Sequence, residues 1–300
     1  MKKVTTYDEH FFDVINTPEK AYFLGLMYAD GSTWHIEKTG KFGNILYEYD
    51  TSISLQETDK SILERFKKAL NWKHSLIYKP AADSNHQASY MIRLSGKKLH
   101  DDLVKHGCVE KKSLILQFPK NLSPELISHF VRGYFDGDGC IWNGKRKKMW
   151  VKDLKCKAGC RERIVHNVKF HFTGCIDFIS ELQQYLIDNV GFKKNKLNVY
   201  HRDYQSDKNC MMEYSGRGNI KKLYDFMYKD CEDLYIKRKK EKFEEIICAF
   251  DEKSSNETRL IAGTPETVIS SQAEINSEGS STIPEMEVES SDSKCLALNE

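Results

Sequence analysis

The chain contains two copies of one pattern, about a hundred residues apart, and this repeat constrains the fold more than any other feature. Residues 16–19 (NTPE) open an apolar stretch that ends at Asp30-Gly31, and residues 122–125 (LSPE) open one that ends at Asp138-Gly139. A Thr or Ser N-cap, a Pro at the first helical position and a Glu behind it favour a helix start. An Asp-Gly pair suits a helix that must end sharply. The repeat predicts two matched helices, the first and second motif helices.

The elements predicted after each motif helix also match. They are β-rich stretches at 44–55 and 164–173, amphipathic helices at 60–70 and 178–190, further strands at 74–79, 89–94, 196–203 and 210–215, and closing helices at 97–106 and 218–229. A charged helix follows at 234–250. The sequence therefore predicts an α+β fold of two repeats, residues 10–120 and 121–250, each built as helix, two strands, helix, two strands, helix.

Small residues spaced four apart follow one side of each motif helix. They are Ala21, Gly25 and Ala29 in the first helix and Gly133 and Gly137 in the second. Such a stripe lets two helix backbones approach closely, so the two motif helices are expected to pack against each other. Asp30 and Asp138 would then lie side by side, which is costly unless a cation sits between them. Mg²⁺, which prefers oxygen ligands, suits that position, whereas a turn-forming role for each Asp-Gly pair is the alternative.

Charge is distributed unevenly along the chain. Residues 251–300 hold eleven acidic and three basic side chains, which leaves 43 basic and 33 acidic side chains in residues 1–250. A basic body favours an anionic partner, with nucleic acid the first candidate. The last fifty residues also contain ten serines and no aromatic residue. Such a segment buries too little apolar surface to offset its ordering entropy, so 251–300 is predicted to be a disordered tail.

Two further features bear on where the chain works. The longest apolar run, residues 21–29, has nine residues, far fewer than the ~20 of a spanning helix, so no membrane partner is expected. Nine cysteines without a framework spacing favour free thiols in a reducing compartment. We therefore expect an intracellular protein, in a bacterial or phage-infected cytoplasm or in an organelle matrix.

Residues 23–31 (FLGLMYADG) and 131–139 (VRGYFDGDG) resemble the two motifs of the LAGLIDADG homing endonucleases in their double-motif, single-chain form. The resemblance covers roughly residues 10–250. It implies two αββαββα halves related by a pseudo-two-fold axis, each with a saddle-like antiparallel sheet that lies in the major groove of DNA. The first motif departs from the family at Tyr28, where an acid is common, as Asp136 is in the second motif.

The resemblance also implies a metal site. In the family the last acid of each motif binds the catalytic metal, which corresponds to Asp30 and Asp138 in this sequence. The backbone carbonyls just before them, those of Ala29 and Gly137, are implied as further ligands. The expected cofactor is Mg²⁺ (or Mn²⁺), which would polarise the scissile phosphates and activate water.

Three further side chains resemble supporting catalytic groups of the family. Gln56 stands at a strand-to-helix junction where a water-positioning glutamine is common, and its expected counterpart, Thr173, could not play quite the same role. Lys112 resembles the active-site lysine after the third helix, and Lys239 is its expected partner. The alternatives for the two lysines are Lys111 and Lys237.

A sheet that reads DNA needs basic and polar side chains on one face. The candidates are Trp34, His35, Lys38, Lys79 and Arg93 in the first half, and Trp142, Lys145, Arg146, Lys169, His171 and Arg202 in the second. The basic runs 145–148 and 193–196 are expected to contact phosphates from loops, with 143–163 forming an extended hairpin loop. Cys156, Cys160, His166 and His171 could also ligate zinc, but their spacing is loose for a structural site.

Together these features predict a monomeric, site-specific endonuclease that binds double-stranded DNA at a long asymmetric target. It would hydrolyse one phosphodiester per strand and so promote the mobility of its own intron or gene. The alternative on the same fold is an intron-RNA maturase or another non-cleaving nucleic-acid-binding protein. A DNA-binding regulator would need an attached helix-turn-helix, for which residues 1–250 leave no room.

Overall fold

The computed structural model describes residues 6–84, 86–151, 160–199 and 209–262, with the backbone alone described at 146–151, 160–166 and 251–262. The chain divides into two compact units, Met1–Cys248 and Ala249–Glu300. The first sequence repeat and the second as far as Cys248 lie in the first unit. None of the helices in the described ranges is long and apolar enough to cross a lipid bilayer.

The first half follows the predicted order of elements. They are α1 (Pro18–Ala29), β1 (Gly31–Thr39), β2 (Ile45–Gln56), α2 (Lys60–Ala69), β3 (Ile77–Lys79), β4 (Ser89–Ser95) and α3 (Lys97–Lys105). The four strands form one antiparallel sheet in the order β1-β2-β4-β3. Short 3₁₀ turns at Glu57–Asp59 and Lys112–Leu114 follow β2 and precede the second half.

The second half repeats this plan. Its elements are α4 (Pro124–Asp138), β5 (Gly139–Val151), β6 (Cys160–Cys175), α5 (Ile176–Val190), β7 (Asn198–Val199), β8 (Asn209–Ser215) and α6 (Arg217–Tyr228), and α7 (Lys237–Ala262) follows them. Its strands form a second antiparallel sheet in the matching order β5-β6-β8-β7. The predicted α+β architecture of two αββαββα repeats is therefore confirmed.

The motif helices α1 and α4 pack against each other through their small residues. Ala21 is fully buried, and the backbones approach so closely that neither central glycine has room for a side chain. A methyl group on Gly25 would lie 2.9 Å from the amide nitrogen of Tyr134, and one on Gly133 would lie 3.0 Å from that of Leu26. This contact brings the carboxyl ends of both helices to one place in the molecule.

Each sheet buries the face that bears the helices. Ile53, Leu55, Ile92 and Leu94 are buried on that face of the first sheet, and Val168, Phe170 and Phe172 on that of the second. Because side chains alternate along a strand, their neighbours form the opposite face, here named the open face. It includes Trp34, Lys38, Asp50, Arg93 and Lys79 in the first half, and Cys140, Trp142, Lys169, His171 and Glu213 in the second.

Two segments are more regular than the sequence predicted. The segment 143–163 was expected to be a loop, but β5 pairs with β6 as far as Val151 with Cys160, so the basic run 145–148 lies on a strand. Cross-strand pairing decides this, whereas a run of like charges carries no strand pattern. Helix α7 runs to Ala262, past the expected start of the tail at 251, because no Gly or Pro occurs between its ends. Residues 263–300 of the predicted disordered tail lie outside the described residues.

The two motif helices begin and end differently from the predicted pattern. The Thr17 hydroxyl accepts a hydrogen bond from the amide of Lys20 (3.3 Å), as an N-cap should, but Ser123 makes no capping hydrogen bond. The glycine after α4, Gly139, is extended (φ −93°) instead of left-handed. Both helices lead directly into strands, so the chain reverses without a left-handed residue at either end.

Candidate active site

Asp30 and Asp138 stand at the adjacent ends of the two motif helices. Asp30 is the C-cap of α1, and Asp138 is the last residue of α4. A methyl group built on Gly137 would lie 2.8 Å from Oδ2 of Asp30, so the Asp30 carboxylate rests against the backbone that precedes Asp138. Burial, and then the charge of Asp30, raises the pKa of Asp138 to about 7. The pair thus has an electrostatic cost that nearby positive charge would relieve.

Lys112 lies at the end of the first motif helix. Its ammonium group is buried and donates hydrogen bonds to the carbonyl oxygens of Ala29 (3.2 Å) and Gly31. The Ala29 carbonyl belongs to the negative end of α1, where a cation is favourable, and the Gly31 carbonyl opens β1. The charge of Lys112 also acts on Asp138, where it opposes the rise in pKa.

Lys239 occupies the corresponding place at the end of the second motif helix. Its ammonium group donates to the carbonyls of Gly137 (3.1 Å) and Gly139 (2.6 Å), which are the residues equivalent to the two carbonyl partners of the first lysine. It also donates to the carbonyls of Phe135 (2.8 Å) and Asp136 (2.7 Å). Burial lowers the pKa of Lys239, and the nearby Asp136 carboxylate opposes that effect. The two lysines are therefore structural equivalents.

The two alternative lysines point elsewhere. Lys237 is largely exposed and pairs with Glu241, one turn along α7, at 3.6 Å. Lys111 is exposed and takes a left-handed backbone conformation (φ 51°) before the 3₁₀ turn of Lys112. Neither alternative reaches the end of a motif helix in the hydrogen bonds described.

Motif positions 28 and 136 attach the segments that carry the two lysines. Tyr28 donates its hydroxyl proton to the carbonyl of His106 at 2.5 Å. Asp136, at the equivalent position, accepts from the amide of Ile236 (2.8 Å) and from the hydroxyl of Tyr22 (2.7 Å). Burial raises the pKa of both Tyr28 and Asp136. Both motif positions therefore form a side-chain hydrogen bond to the backbone of the segment before a lysine. Tyr28 is the donor in the first half, whereas Asp136 is the acceptor in the second.

Gln56 belongs to a polar cluster that joins the two halves. Its amide donates to Asp59 (2.8 Å), which also accepts from Arg238 of α7 at 2.8 Å. Gln56 ends β2 as Cys175 ends β6, so the strand register makes Cys175, and not Thr173, its counterpart. Cys175 is buried and donates to a backbone carbonyl at 2.9 Å. The expected pairing with Thr173 was wrong because register, which short motifs do not fix, decides it.

Arg132 was missed as a positioning residue. It is 1% exposed within α4, and its guanidinium donates to the carbonyls of Met227 (2.7 Å) and Leu234 (2.8 Å). It also lies 2.9 Å from Nδ1 of His129, whose pKa falls to about 4 through burial and then the charge of Arg132. Arg132 therefore holds the connection between α6 and α7, on which Lys239 depends. The sequence signal was a single basic residue in the second motif, where the first motif has an apolar residue.

On the open face of the first sheet, Trp34 packs against a charged pair. Arg93 lies 2.7 Å from the carboxylate of Asp50 and places its guanidinium 5.1 Å from the centre of the Trp34 ring. Asp50 is buried and Arg93 is half exposed. The surface thus offers a cation and an aromatic ring next to each other.

The second sheet has the same arrangement with the charges exchanged between strands. Lys169 lies 2.7 Å from Glu213 and 5.8 Å from the centre of the Trp142 ring. Trp142 is equivalent to Trp34 of the first sheet. Its neighbouring cation, however, lies on β6, the second strand of the sheet, whereas Arg93 lies on β4, the third strand of the first sheet. Each open face therefore has a tryptophan beside an ion pair, but the positions of the positive and negative charges are exchanged between the two faces.

The other predicted DNA contacts fall into different environments. Lys79 is exposed on the open face, and Lys38 is exposed and paired with Glu48 at 2.6 Å. Lys145 is exposed on β5. Burial lowers the pKa of His171 to about 4, so this open-face side chain is neutral at pH 7. Of Arg146 only the backbone is described, on β5, and Arg202 lies outside the described residues.

His35 does not share the open face. Strand alternation places it with Thr33, whose hydroxyl donates to the carbonyl of Cys108 at 3.0 Å. The His35 ring and amide both contact Glu110, at 2.5 and 2.8 Å. His35 therefore would not act together with the open-face residues, and its contact with DNA stays a prediction.

The residues at the helix ends fit a hard divalent cation. The donor atoms are all oxygens, namely the carboxylates of Asp30 and Asp138 and the carbonyls of Ala29 and Gly137. Each of these carbonyls accepts one lysine hydrogen bond and keeps a second lone pair. Because the pKa of Asp138 is raised, a bound cation would stabilise its ionised carboxylate and relieve the repulsion from Asp30.

Comparison with protein-family models and with curated protein sequences gives no match. Among solved structures, the I-LtrWI LAGLIDADG homing endonuclease bound to target DNA aligns with a TM-score of 0.51 and 14% identity, over 79% of this chain and 91% of that one. I-SmaMI bound to cleaved DNA aligns at 0.49 and 15% identity, over 83% and 96% of the two chains. I-AabMI bound to uncleaved DNA aligns at 0.46 and 15% identity, over 83% and 99%. The likeness to I-LtrWI shows that this chain has the fold of the LAGLIDADG homing endonucleases.

Proposed function

We propose that this protein is a metal-dependent endonuclease that cuts double-stranded DNA at a specific site, hydrolysing one phosphodiester in each strand. The observation that carries the proposal is the pair of carboxylates, Asp30 and Asp138, at the touching ends of two helices. Half-buried acids next to each other are costly to the fold, and the pKa of Asp138 is accordingly raised to about 7. Such a cost is typical of a functional site rather than of a turn.

The four backbone and side-chain groups at the helix ends would hold Mg²⁺ or Mn²⁺. When bound, the ion would stabilise charge on the scissile phosphate and lower the pKa of an attacking water. Asp30 and Asp138 belong to different halves, so each half would contribute to the chemistry on one strand. The carbonyls of Ala29 and Gly137 complete the donor set.

Lys112 and Lys239 serve this site in two ways. Each ammonium group holds the carbonyls on both sides of one catalytic aspartate, and so fixes the direction of its side chain. Each also places a positive charge where negative charge grows on the phosphate during hydrolysis. Gln56 is hydrogen-bonded to Asp59, which in turn pairs with Arg238, and it would help to order water on the side of the site that carries Lys112.

The open faces of the two sheets would bind the DNA. Their exposed cations, among them Arg93 and Lys79, suit phosphate and guanine contacts, and the tryptophans add apolar surface beside them. The charge patterns of the two faces differ, which supports a long asymmetric target read by one chain. Mobility of the protein's own intron or gene is the biological role that such an activity would serve.

The test is cleavage of a library of duplexes that span candidate insertion sites, with the purified protein and Mg²⁺. The expected result is paired nicks a few bases apart on opposite strands, abolished by EDTA. Asp30→Asn and Asp138→Asn should each abolish cutting while binding survives. Asp225→Asn, which alters an exposed acid paired with Lys221 on α6, is the matched control and should cut normally.

Two outcomes would contradict the proposal. Cleavage that persists in both Asp→Asn variants would place the chemistry elsewhere or in a contaminant. Tight binding of duplexes without any breaks would favour the non-cleaving alternative, and the next substrate would be intron RNA.

A further inference from the structure

A second group of metal-ligating side chains lies in the first half, apart from the motif helices. His35 of β1, His100 of α3 and Glu110 of the following segment bring one ligand atom each to within 4.8 Å of one another. Nδ1 of His35 lies 2.5 Å and Nε2 of His100 lies 3.7 Å from the same oxygen of Glu110. Side chains from three separate elements thus meet at Glu110, which precedes Lys112 by two residues in the sequence.

The His100 side chain is set up as a ligand. It is 7% exposed, and its Nδ1 lies 3.2 Å from the carboxylate of Asp101. A proton on Nδ1 satisfies that carboxylate and leaves a lone pair on Nε2. Nε2 is buried and has no hydrogen-bond partner, although it faces an oxygen of Glu110. A lone pair on Nε2 that faces a carboxylate oxygen is favourable only when a proton or a metal ion lies between the two atoms.

We propose that His35, His100 and Glu110 form a binding site for a transition-metal ion of the zinc class. Two imidazole nitrogens and one carboxylate oxygen suit Zn²⁺ and disfavour Mg²⁺, which prefers oxygen alone. The Asp101 carboxylate behind His100 is the outer partner that metal-bound histidines commonly have. Three protein ligands leave a fourth position for water.

The site would join β1, α3 and the segment that carries Lys112. Without an ion, the contacts of Glu110 with the His35 ring and amide add to the hydrogen bond from Thr33 to the Cys108 carbonyl in linking β1 to this segment. With an ion bound, α3 is tied to the same point through His100. Zinc would therefore stabilise the first half and hold the Lys112 segment in place, independently of any cleavage activity.

Zinc binding can be measured on the full chain after EDTA treatment and removal of the chelator. Asp30→Asn and Asp138→Asn are combined in the starting protein, so that the carboxylates at the helix ends cannot contribute. Titration calorimetry with Zn²⁺ and visible absorption with Co²⁺ are the readouts. We expect saturable binding of one Zn²⁺ ion per protein chain and a Co²⁺ absorption spectrum typical of nitrogen and oxygen ligands. Zn²⁺ should also raise the Tm of the protein.

Variants locate the site. His35→Gln and His100→Gln should each remove this binding event, and Asp101→Asn should weaken it by about 10–100-fold, as loss of an outer partner does. His74→Gln, which changes an exposed histidine near Thr6 in the same half, should have no effect. If His100→Gln fails to fold by circular dichroism, the more exposed positions His35 and Asp101 decide the question.

The proposal is overturned if no Zn²⁺ binds to the starting protein. It is equally overturned if binding is unchanged in His35→Gln and Asp101→Asn, because the ion would then occupy other ligands, such as cysteines. Neither result would bear on the proposed endonuclease, whose metal and assay are different.

Discussion

The contact between the motif helices makes a quantitative prediction for Gly25→Ala. The new methyl group would lie 2.9 Å from the amide nitrogen of Tyr134 and closer still to the carbonyl oxygen of Phe130. Both obstacles are backbone atoms of the partner helix, so neither can rotate away. The helices would have to move apart, and the ends that carry Asp30 and Asp138 would separate with them.

The expected cost follows from two opposing effects. Alanine is a better helix former than glycine by about 1 kcal/mol. Overpacking in a well-packed core costs about 1–3 kcal/mol and occasionally more, and a clash with rigid backbone belongs at or above the upper end of that range. We expect Gly25→Ala to lower the free energy of unfolding by about 2 kcal/mol. Since 1 kcal/mol shifts the Tm of a domain of this size by roughly 2–4 °C, the Tm should fall by roughly 4–8 °C.

The assay is urea unfolding followed by circular dichroism, with Gly218→Ala as the matched control. Gly218 lies in the first turn of α6, and a methyl group there meets no atom within 4 Å. The same substitution should therefore stabilise the protein there by up to about 1 kcal/mol. A Gly25→Ala protein as stable as the parent would refute the close contact between the motif helices.

Three further predictions concern the charged groups around the site. Lys239→Met should lower the free energy of unfolding by roughly 3 kcal/mol or more in urea, because the buried carbonyls around Asp138 lose the hydrogen bonds of its ammonium group, whereas Lys237→Met should change it little. Asp138, with its pKa raised to about 7, should make the metal-free parent lose stability as pH rises from about 4 to 7. Asp138→Asn should then be more stable by roughly 4 kcal/mol at pH 8 and equally stable near pH 4, and a pH-independent difference would contradict the raised pKa. Arg238→Ala should cost roughly 1–2 kcal/mol in the same urea assay, because Asp59 is 5% exposed while Arg238 is half exposed.

The architecture followed from the sequence because its strongest signals are local. Caps, prolines and terminal Asp-Gly pairs marked both motif helices, and a repeated order of elements then specified two equal halves. The small-residue spacing also predicted that the helices would touch, because a stripe of glycine and alanine has little other use in a buried helix. Gly25 and Gly133 fit that expectation.

Features that depend on pairing across the chain could not be predicted in this way. The counterpart of Gln56 required the strand register, which made it Cys175. The side of β1 on which His35 lies required the sheet phase, since a shift of one residue moves every side chain to the other face. The tether from Asp136 to the amide of Ile236 joins residues a hundred positions apart, and no local pattern announces it.

The two halves preserve strand positions more faithfully than residue types, which matters for the proposed recognition of DNA. Each open face carries a tryptophan beside an ion pair, but the pair Asp50–Arg93 of the first sheet becomes Lys169–Glu213 in the second, with the signs exchanged between equivalent strands. This exchange would change the contacts with DNA, since a cation on the second strand of a sheet reaches different base and phosphate positions from a cation on the third strand. Two identical chains could only present the same pattern twice, whereas a single chain with diverged halves can match a target that lacks two-fold symmetry.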